Sequence, residues 1–325
     1  MGINTQVKDG SIHNLNLDIT IVPIDAKIGE VHYNPGLARD NKGNTWVSIR
    51  SCIHNPDRYE GYEHPMHYQN FLHVGKLDEK NLKISGLKEI IPEEEYKGFQ
   101  WGIEDVRLFW RDDGLHGIGV ILPITEKGPR ANQAEILIDY EKGMYKLLID
   151  YGNPMGSPEK NWMPPESPAR LFDFVYSPTQ IVMDGAVLGE PNDLFLHNGT
   201  PLIPYQNGYL SLMHIVCAVR HTGRKERTYL TVAAKWDKAG HMTHLSQFFH
   251  FNVGWREKLQ ETIEFASAIL WSKPEEEILV GIGVKDEITG FCKIPVNKFK
   301  WEEYKDTAYY NWTWLSPPNR TELPS

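Results

Sequence analysis

The segment Gly102-Ile103-Glu104-Asp105-Val106-Arg107-Leu108 places two carboxylates and a guanidinium inside an otherwise apolar run from Trp101 to Trp110. Burying charge is costly unless the charge is paired or used. If the run is a strand, its side chains alternate between faces. Asp105 and Arg107 then share one face and Glu104 points to the other. A carboxyl group held beside a guanidinium is suited to deliver a proton to a departing oxygen. The competing reading is a structural ion pair at a sheet edge.

Other polar residues sit equally out of place in strand-like surroundings. In chain order they are Asn34-Pro35-Gly36 with Arg50-Ser51; Glu159-Lys160-Asn161-Trp162-Met163-Pro164; Asn198-Gly199-Thr200-Pro201-Leu202 followed by Gly208 to His214; and Gly281-Ile282-Gly283-Val284-Lys285-Asp286. Each has a plainer explanation. Asn34-Pro35 suits an extended turn entry, and Asn198-Gly199 is a turn signal. Asp286 fits a hairpin turn, Lys160 a solvated loop, and His214 a satisfied core histidine.

Metal chemistry is not indicated. His54, His64, His67 and His73 lie near Asp57 and Glu63, but no complementary cysteine or carboxylate motif completes a ligand set. His241 and His244 fall on opposite faces of a strand. There is no G-x-S-x-G elbow, phosphate-binding Walker loop or dinucleotide fingerprint. The basic stretch Arg220, His221, Arg224, Lys225, Arg227 reads as a solvated turn or as the mouth of an anion-accepting pocket.

The elements that must position these groups are strands. Val106 to Trp110 and Leu115 to Pro123 flank a turn at Arg111-Asp112-Asp113-Gly114. Ala134–Tyr140 with Met144–Tyr151, Tyr229–Trp236 with His241–Phe251, and Ile278–Val284 with Phe291–Val296 repeat the form. Gln180–Leu188 and Gly208–Val219 add further strands. Helical periodicity is confined to Trp255–Leu270 and, interrupted by Gly86 and Pro92, to Leu82–Tyr96. Such a pattern predicts an all-β chain, as a sandwich, solenoid or propeller. With roughly 50 to 65 residues per four-stranded blade, about five blades fit the length. No linker divides residues 1–325, so one domain is expected, with blades over about 30–300 and wrapping or frayed ends.

Bulk composition narrows the function. A net charge of −9 and pI near 5.8 argue against a broad nucleic-acid surface. Aromatics make up 11% of the chain, as suits rings that fill a β core or stack on sugar faces. Cys52, Cys217 and Cys292 are dispersed, which favours free buried thiols. The N-terminal stretch lacks an apolar signal core, and no apolar run approaches about 18 residues. A cytoplasmic protein is expected, with the sequons at Asn198, Asn311 and Asn319 as chance matches.

The order of these motifs, from about Asn34 to Pro295, resembles glycoside hydrolase family 130, the β-mannoside phosphorylases and their hydrolase relatives. It is most similar to a branch carrying Glu-Lys-Asn-Trp, as at Glu159–Trp162. The resemblance implies a five-bladed β-propeller whose motifs face a central pocket, acting on mannosides with inversion. It makes Asp105 the general acid and Arg107 the motif arginine. Val106 stands where the family motif has proline, which keeps a non-catalytic reading open. Asn34, Arg50, Asn161 and Asp286 become sugar-subsite residues, and Arg130, Lys160 and His214 a phosphate-binding set. Phosphate attacking a sugar needs such cations, and an arginine fork with a lysine point charge suits it.

The expected function is therefore a carbohydrate-active enzyme, foremost a β-mannoside-type phosphorylase with inorganic phosphate as co-substrate and no other cofactor or metal. A glycosyltransferase would reuse the cations for a nucleotide sugar. An inverting hydrolase would need a second carboxylate, for which Glu159, Glu166 and Asp286 are the motif-linked candidates. A sugar-binding propeller without catalysis is the alternative of another class. The expected partners are carbohydrate with phosphate or a nucleotide sugar, without nucleic acid or membrane, and further copies of the chain in a homo-oligomer.

Overall fold

The structure, a computed structural model, describes residues 12–26, 29–54, 68–125, 128–129, 131–152, 161–166, 172–177, 180–183, 186–188, 196–221, 224–251 and 263–304. Among these residues the regular structure is strand apart from two single 3-10 turns, Lys97–Phe99 and Val296–Lys298. No helix among them is long and apolar enough to cross a membrane.

The expected hairpins are present. Glu104–Arg111 pairs with Gly114–Ile121, Asn132–Asp139 with Met144–Asp150, and Glu277–Val284 with Ile288–Pro295. Arg224–Asp237 turns back into Met242–Ser246. Both segments with helical periodicity are strand where they are described, as the all-β expectation requires. Lys83–Pro92 is an outer strand, and Glu264–Lys273 is an inner one. Glu264–Lys273 is buried on both faces over most of its length, so its apolar run carries no alternation to separate strand from helix. Residues 255–262 of the Trp255–Leu270 segment lie outside the described residues.

Four-stranded units are joined so that their first strands meet. In one eight-stranded sheet the strands of residues 31–92 and those of 104–150 share only a short parallel contact, Met144 with Ile91 and Tyr145 with Pro92. The first strands of these two units, Val31–Arg39 and Glu104–Arg111, stand at opposite ends of that sheet order. They nevertheless touch. A Cβ on Gly36 would lie 2.3 Å from the Val106 carbonyl, and Ser48 Oγ donates to that carbonyl at 2.8 Å. Sheets over 174–188, 196–250 and 264–295 follow. The last gains its fourth strand from Thr20–Ile21, far away in sequence.

Apolar clusters fill the space between successive units. Leu72, Ile90, Ile103 and Ile136 pack the 31–92 unit on the 104–150 unit. Phe109, Ile118, Trp162 and Phe174 continue to the 174–188 sheet, and Val175, Leu202, Met213 and Trp236 to the 196–250 sheet. Leu212, Phe249, Ile269 and Ile282 join that sheet to 264–295. Leu37, Ile49, Leu279 and Phe291 return to the starting unit. The chain of contacts closes on itself, which makes the fold an all-β propeller with the first strand of each unit against the axis.

Behind Arg50, the next residue on its strand faces away from the axis side. Ser51 Oγ lies 2.7 Å from His32 Nδ1 and 2.9 Å from His73 Nδ1, forming a His-Ser-His chain. Burial, with His32 nearby, lowers the His73 pKa to about 4. The folded state thus disfavours a proton that the unfolded chain accepts near pH 6.5. Stability contributed by neutral His73 is complete above 6.5 and is lost as pH falls from there through about 4, by roughly 3 kcal/mol. His73→Gln is expected to flatten the acid side of a Tm–pH curve. An unchanged acid slope in that variant would place the titration elsewhere.

Candidate active site

Asp105 is aimed by a bulge. The register of Glu104–Arg111 on Gly114–Ile121 slips between Glu104 and Arg107, and Asp105 has φ 51°. The slip overturns the alternation expected from sequence. Glu104 does not face away from Asp105, because both reach the same guanidinium. Arg50 Nη1 lies 3.0 Å from Asp105 Oδ1 and 3.4 Å from Glu104 Oε2. The motif's proline would restrict the residue before it to extended backbone. Val106 leaves Asp105 free to take the left-handed conformation, while its own side chain packs into the core.

A second bulge faces the first. Val31–Arg39 slips against Thr45–His54 between Tyr33 and Gly36, and Asn34 has φ 49°. Asn34 Nδ2 donates to Asp105 Oδ1 at 2.8 Å. Arg50 and Asn34 therefore converge on one carboxylate oxygen. Arg50 is itself held from behind: Nε donates to Asn70 Oδ1 at 2.8 Å, and the guanidinium lies 5.0 Å from the Tyr33 ring centroid. Asn70 Nδ2 donates to the Trp101 carbonyl at 3.1 Å. Burial would lower the Arg50 pKa, but Glu104 and Asp105 hold it well above its ordinary value.

Arg107 contrasts with Arg50. It is 2% exposed, and its hydrogen bonds go to uncharged oxygens. Nε donates to the Gly199 carbonyl at 2.6 Å, Nη2 to Asn161 Oδ1 at 2.9 Å and Nη1 to the Asp105 carbonyl at 3.4 Å. Among the described residues no carboxylate lies within ion-pair distance of it. Burial lowers its pKa to about 10, against the pull of the Asp105 charge. It remains a cation at neutral pH, without a directly bonded counter-ion among the described residues. The expectation that Asp105 and Arg107 pair through their side chains is thus replaced by a division of labour. Arg50 sits on the carboxylates, and Arg107 donates to uncharged oxygens.

Asn161 (φ 69°) and Asp286 (φ 54°) complete a pattern. Four of the sequence-predicted residues, Asn34, Asp105, Asn161 and Asp286, have left-handed backbone. Asx residues tolerate that region, at a cost of order 1 kcal/mol each. For Asp286 a turn explains it: Lys285 and Asp286 form a two-residue hairpin loop, both with positive φ, closed by Glu287 N–H donating to the Val284 carbonyl at 3.0 Å. Asn34 and Asp105 lie inside strands, where no turn demands it. Strained backbone held by its surroundings is a common feature of functional sites. The Asp286 charge acts on Tyr33, whose hydroxyl pKa is pushed up by burial, so this hairpin borders the Arg50 end of the site.

The cation set is only partly placed. Arg130 and Lys160 lie outside the described residues. His214 lies inside, and its expected role as a cation is corrected. Burial first, then His197 and Arg107, depress its pKa well below 6.5, so it is neutral at physiological pH. Its ring stacks on Tyr229 at 4.9 Å and meets Phe265 edge-on at 5.1 Å. His214 Nδ1 is buried without a hydrogen-bond partner among the described residues. Arg107 lies 5.7 Å from the Phe265 ring centroid, so this aromatic wall adjoins the uncompensated guanidinium.

Asn70, Tyr33, Tyr229, Phe265 and the Gly199 carbonyl join the site without having been singled out for chemistry in the sequence. Glu166, a candidate second carboxylate, belongs elsewhere. Burial lifts its pKa to about 7, against the pull of Arg39. Arg39 is five residues along its strand from Asn34, about 16 Å at strand rise. Glu159 lies outside the described residues.

No family model matches the sequence, and no curated relative matches it. Solved structures do match the fold. A β-1,2-mannobiose phosphorylase from Listeria innocua, in complex with β-1,2-mannobiose, superposes with TM-score 0.57 at 15% identity, covering 86% of this chain and 95% of that one. A mannose phosphorylase from Leishmania mexicana, in complex with phosphate ion, gives 0.53 at 10% identity, covering 85% and 87%. A glycosyl hydrolase from Bacteroides ovatus gives 0.52 at 13%, covering 85% and 87%. At these identities the likeness establishes a shared fold.

Proposed function

We propose that this chain is a carbohydrate-active enzyme, a glycoside phosphorylase that cleaves β-mannosides with Asp105 as general acid. The observation that carries the reading is the pairing of two unlike arginines around Asp105. One is bound to the carboxylates, and the other is buried and, among the described residues, hydrogen-bonds to uncharged oxygens. The fold shared with two mannoside phosphorylases, one holding phosphate and one β-1,2-mannobiose, supports the choice of substrates.

In the proposed reaction an oxygen of hydrogen phosphate attacks the anomeric carbon as the bond to the bridging oxygen breaks. Asp105 gives that oxygen its proton, and the proton carried by the phosphate restores the acid. The sugar 1-phosphate forms with inverted configuration. Arg107 supplies the fixed positive charge that lets an anion approach beside a carboxylate. His214, neutral and with a buried Nδ1 that has no partner among the described residues, contributes a hydrogen bond rather than charge. Phosphorolysis is preferred over hydrolysis because a structure that shares the fold is a mannose phosphorylase in complex with phosphate ion. Of the candidate second carboxylates, Glu166 lies beside Arg39, Asp286 sits in a hairpin turn and Glu159 lies outside the described residues.

The test is incubation with β-1,2-, β-1,3- and β-1,4-linked mannobioses, with and without inorganic phosphate, followed by phosphorus NMR. Phosphate-dependent appearance of α-mannose 1-phosphate and free sugar is expected. Equal cleavage without phosphate would replace the phosphorylase by a hydrolase. Binding without turnover under both conditions would replace it by a sugar-binding module.

A further inference from the structure

We propose that Gly283 and Asn34 act together as positioning residues for Asp105, with the missing side chain at 283 serving as the seat of the Asn34 amide. The inference deepens the reading of Asp105 as the acid and rests on it for its catalytic consequences. Gly283 lies on Glu277–Val284, opposite Phe265 on one neighbouring strand and Thr289 on the other. Its backbone is ordinary extended strand, so conformation alone does not require glycine there. Space does. A Cβ at 283 would lie 1.9 Å from Asn34 Oδ1 and 3.0 Å from Asn34 Cγ and N.

Asn34 is itself held in an unfavourable state. Its backbone is left-handed within a strand, and its Oδ1 is buried with no hydrogen-bond partner among the described residues. Leaving a buried carbonyl unpaired is costly, and nothing local compensates it. The arrangement has one evident return, the 2.8 Å hydrogen bond from Nδ2 to Asp105 Oδ1. Turning the amide over would set its oxygen against the carboxylate. The seat at Gly283 and the partner at Asp105 thus fix the amide from two sides, and each comes from a different sheet unit. Asn34, placed by sequence as a sugar-contacting residue, is assigned to the carboxylate instead.

Gly283→Ala should displace the amide and remove one donor from Asp105 Oδ1. A hydrogen bond to the charged form lowers a carboxyl pKa, so its loss raises it. The alkaline limb of the pH–rate profile, where the acid loses its proton, should move up by about one pH unit. On the plateau below that limb, where protonation is complete, kcat/KM should fall about tenfold because the carboxyl group is no longer held in place. Asn34→Ala, which creates no clash, should shift the limb equally. The double variant should match Asn34→Ala alone, because the glycine acts only through the amide.

Carbon-13 NMR titration of labelled aspartate gives the same comparison without turnover. The Asp105 carboxyl midpoint should rise in both variants. A raised midpoint in a protein that cleaves no saccharide would retain the positioning pair and remove the phosphorylase. Multiplying effects in the double variant would overturn the inference, as would a Gly283→Ala protein that loses only thermal stability while the Asp105 midpoint stays fixed.

Discussion

Asp105→Asn is expected to lower phosphorolysis of a mannobiose at least about a hundredfold, the scale of losing a general acid. The substitution keeps the shape of the side chain and its place on the bulge. It also leaves the fold with a manageable charge balance, because Glu104 still faces Arg50 at 3.4 Å. The variant should therefore remain folded, with its Tm within a few degrees of the parent, and should bind saccharide about as well. Turnover near the parental rate on an accepted disaccharide would remove Asp105 from the mechanism.

Arg107→Met is expected to separate stability from activity in the opposite sense to Arg50→Met. Arg50 is a buried cation bonded to two carboxylates. Removing it leaves those charges uncompensated, at a cost of about 3–5 kcal/mol. Arg107 donates to neutral oxygens. Methionine there removes a desolvated charge but leaves the Gly199 carbonyl and Asn161 Oδ1 without their donor, at about 1–3 kcal/mol, so Tm should fall by less than in Arg50→Met. Activity should behave otherwise. Removing a preorganised donor from a developing or incoming anion costs about a hundredfold to a thousandfold. The loss should appear chiefly as weakened phosphate dependence, measured by varying phosphate at fixed saccharide. A structural role would be shown instead by a parallel collapse of Tm, with phosphate affinity unchanged in the folded fraction.

The hairpins were readable from sequence because each couples alternating apolar residues to a turn signal, as Asp112-Asp113-Gly114 does between Glu104–Arg111 and Gly114–Ile121. The helical periodicity around Glu264–Lys273 was ambiguous for a reason built into the fold. An inner strand packed on both faces reads as a continuous apolar run, and only its partners, Glu277–Val284 among them, decide its form. The orientation of Glu104 failed because alternation assumes an unbroken register. The bulge at Asp105 has no local signature beyond an Asx residue that tolerates positive φ.

The charge state of His214 depends on residues far from it in sequence. Tyr229, Phe265 and Arg107 surround it only after three separate sheet units have come together. The same distance explains Gly283. In sequence it is a small residue in a strand, and its contact with Asn34 spans almost the whole chain. The chemical types in the motifs were informative, whereas their pairings were not.

The most direct test of the central assignment compares Asp105→Asn with the parent on two substrates that differ only in the leaving group. A mannobiose needs its bridging oxygen protonated, whereas 2,4-dinitrophenyl β-mannoside departs as a stable anion that does not. If Asp105 is the proton donor, the variant should be at least about a hundredfold slower on the mannobiose. On the activated mannoside, with phosphate present, it should stay within about tenfold of the parent. An equal loss on both substrates would contradict the assignment, since the carboxyl group would then serve binding or structure rather than proton transfer.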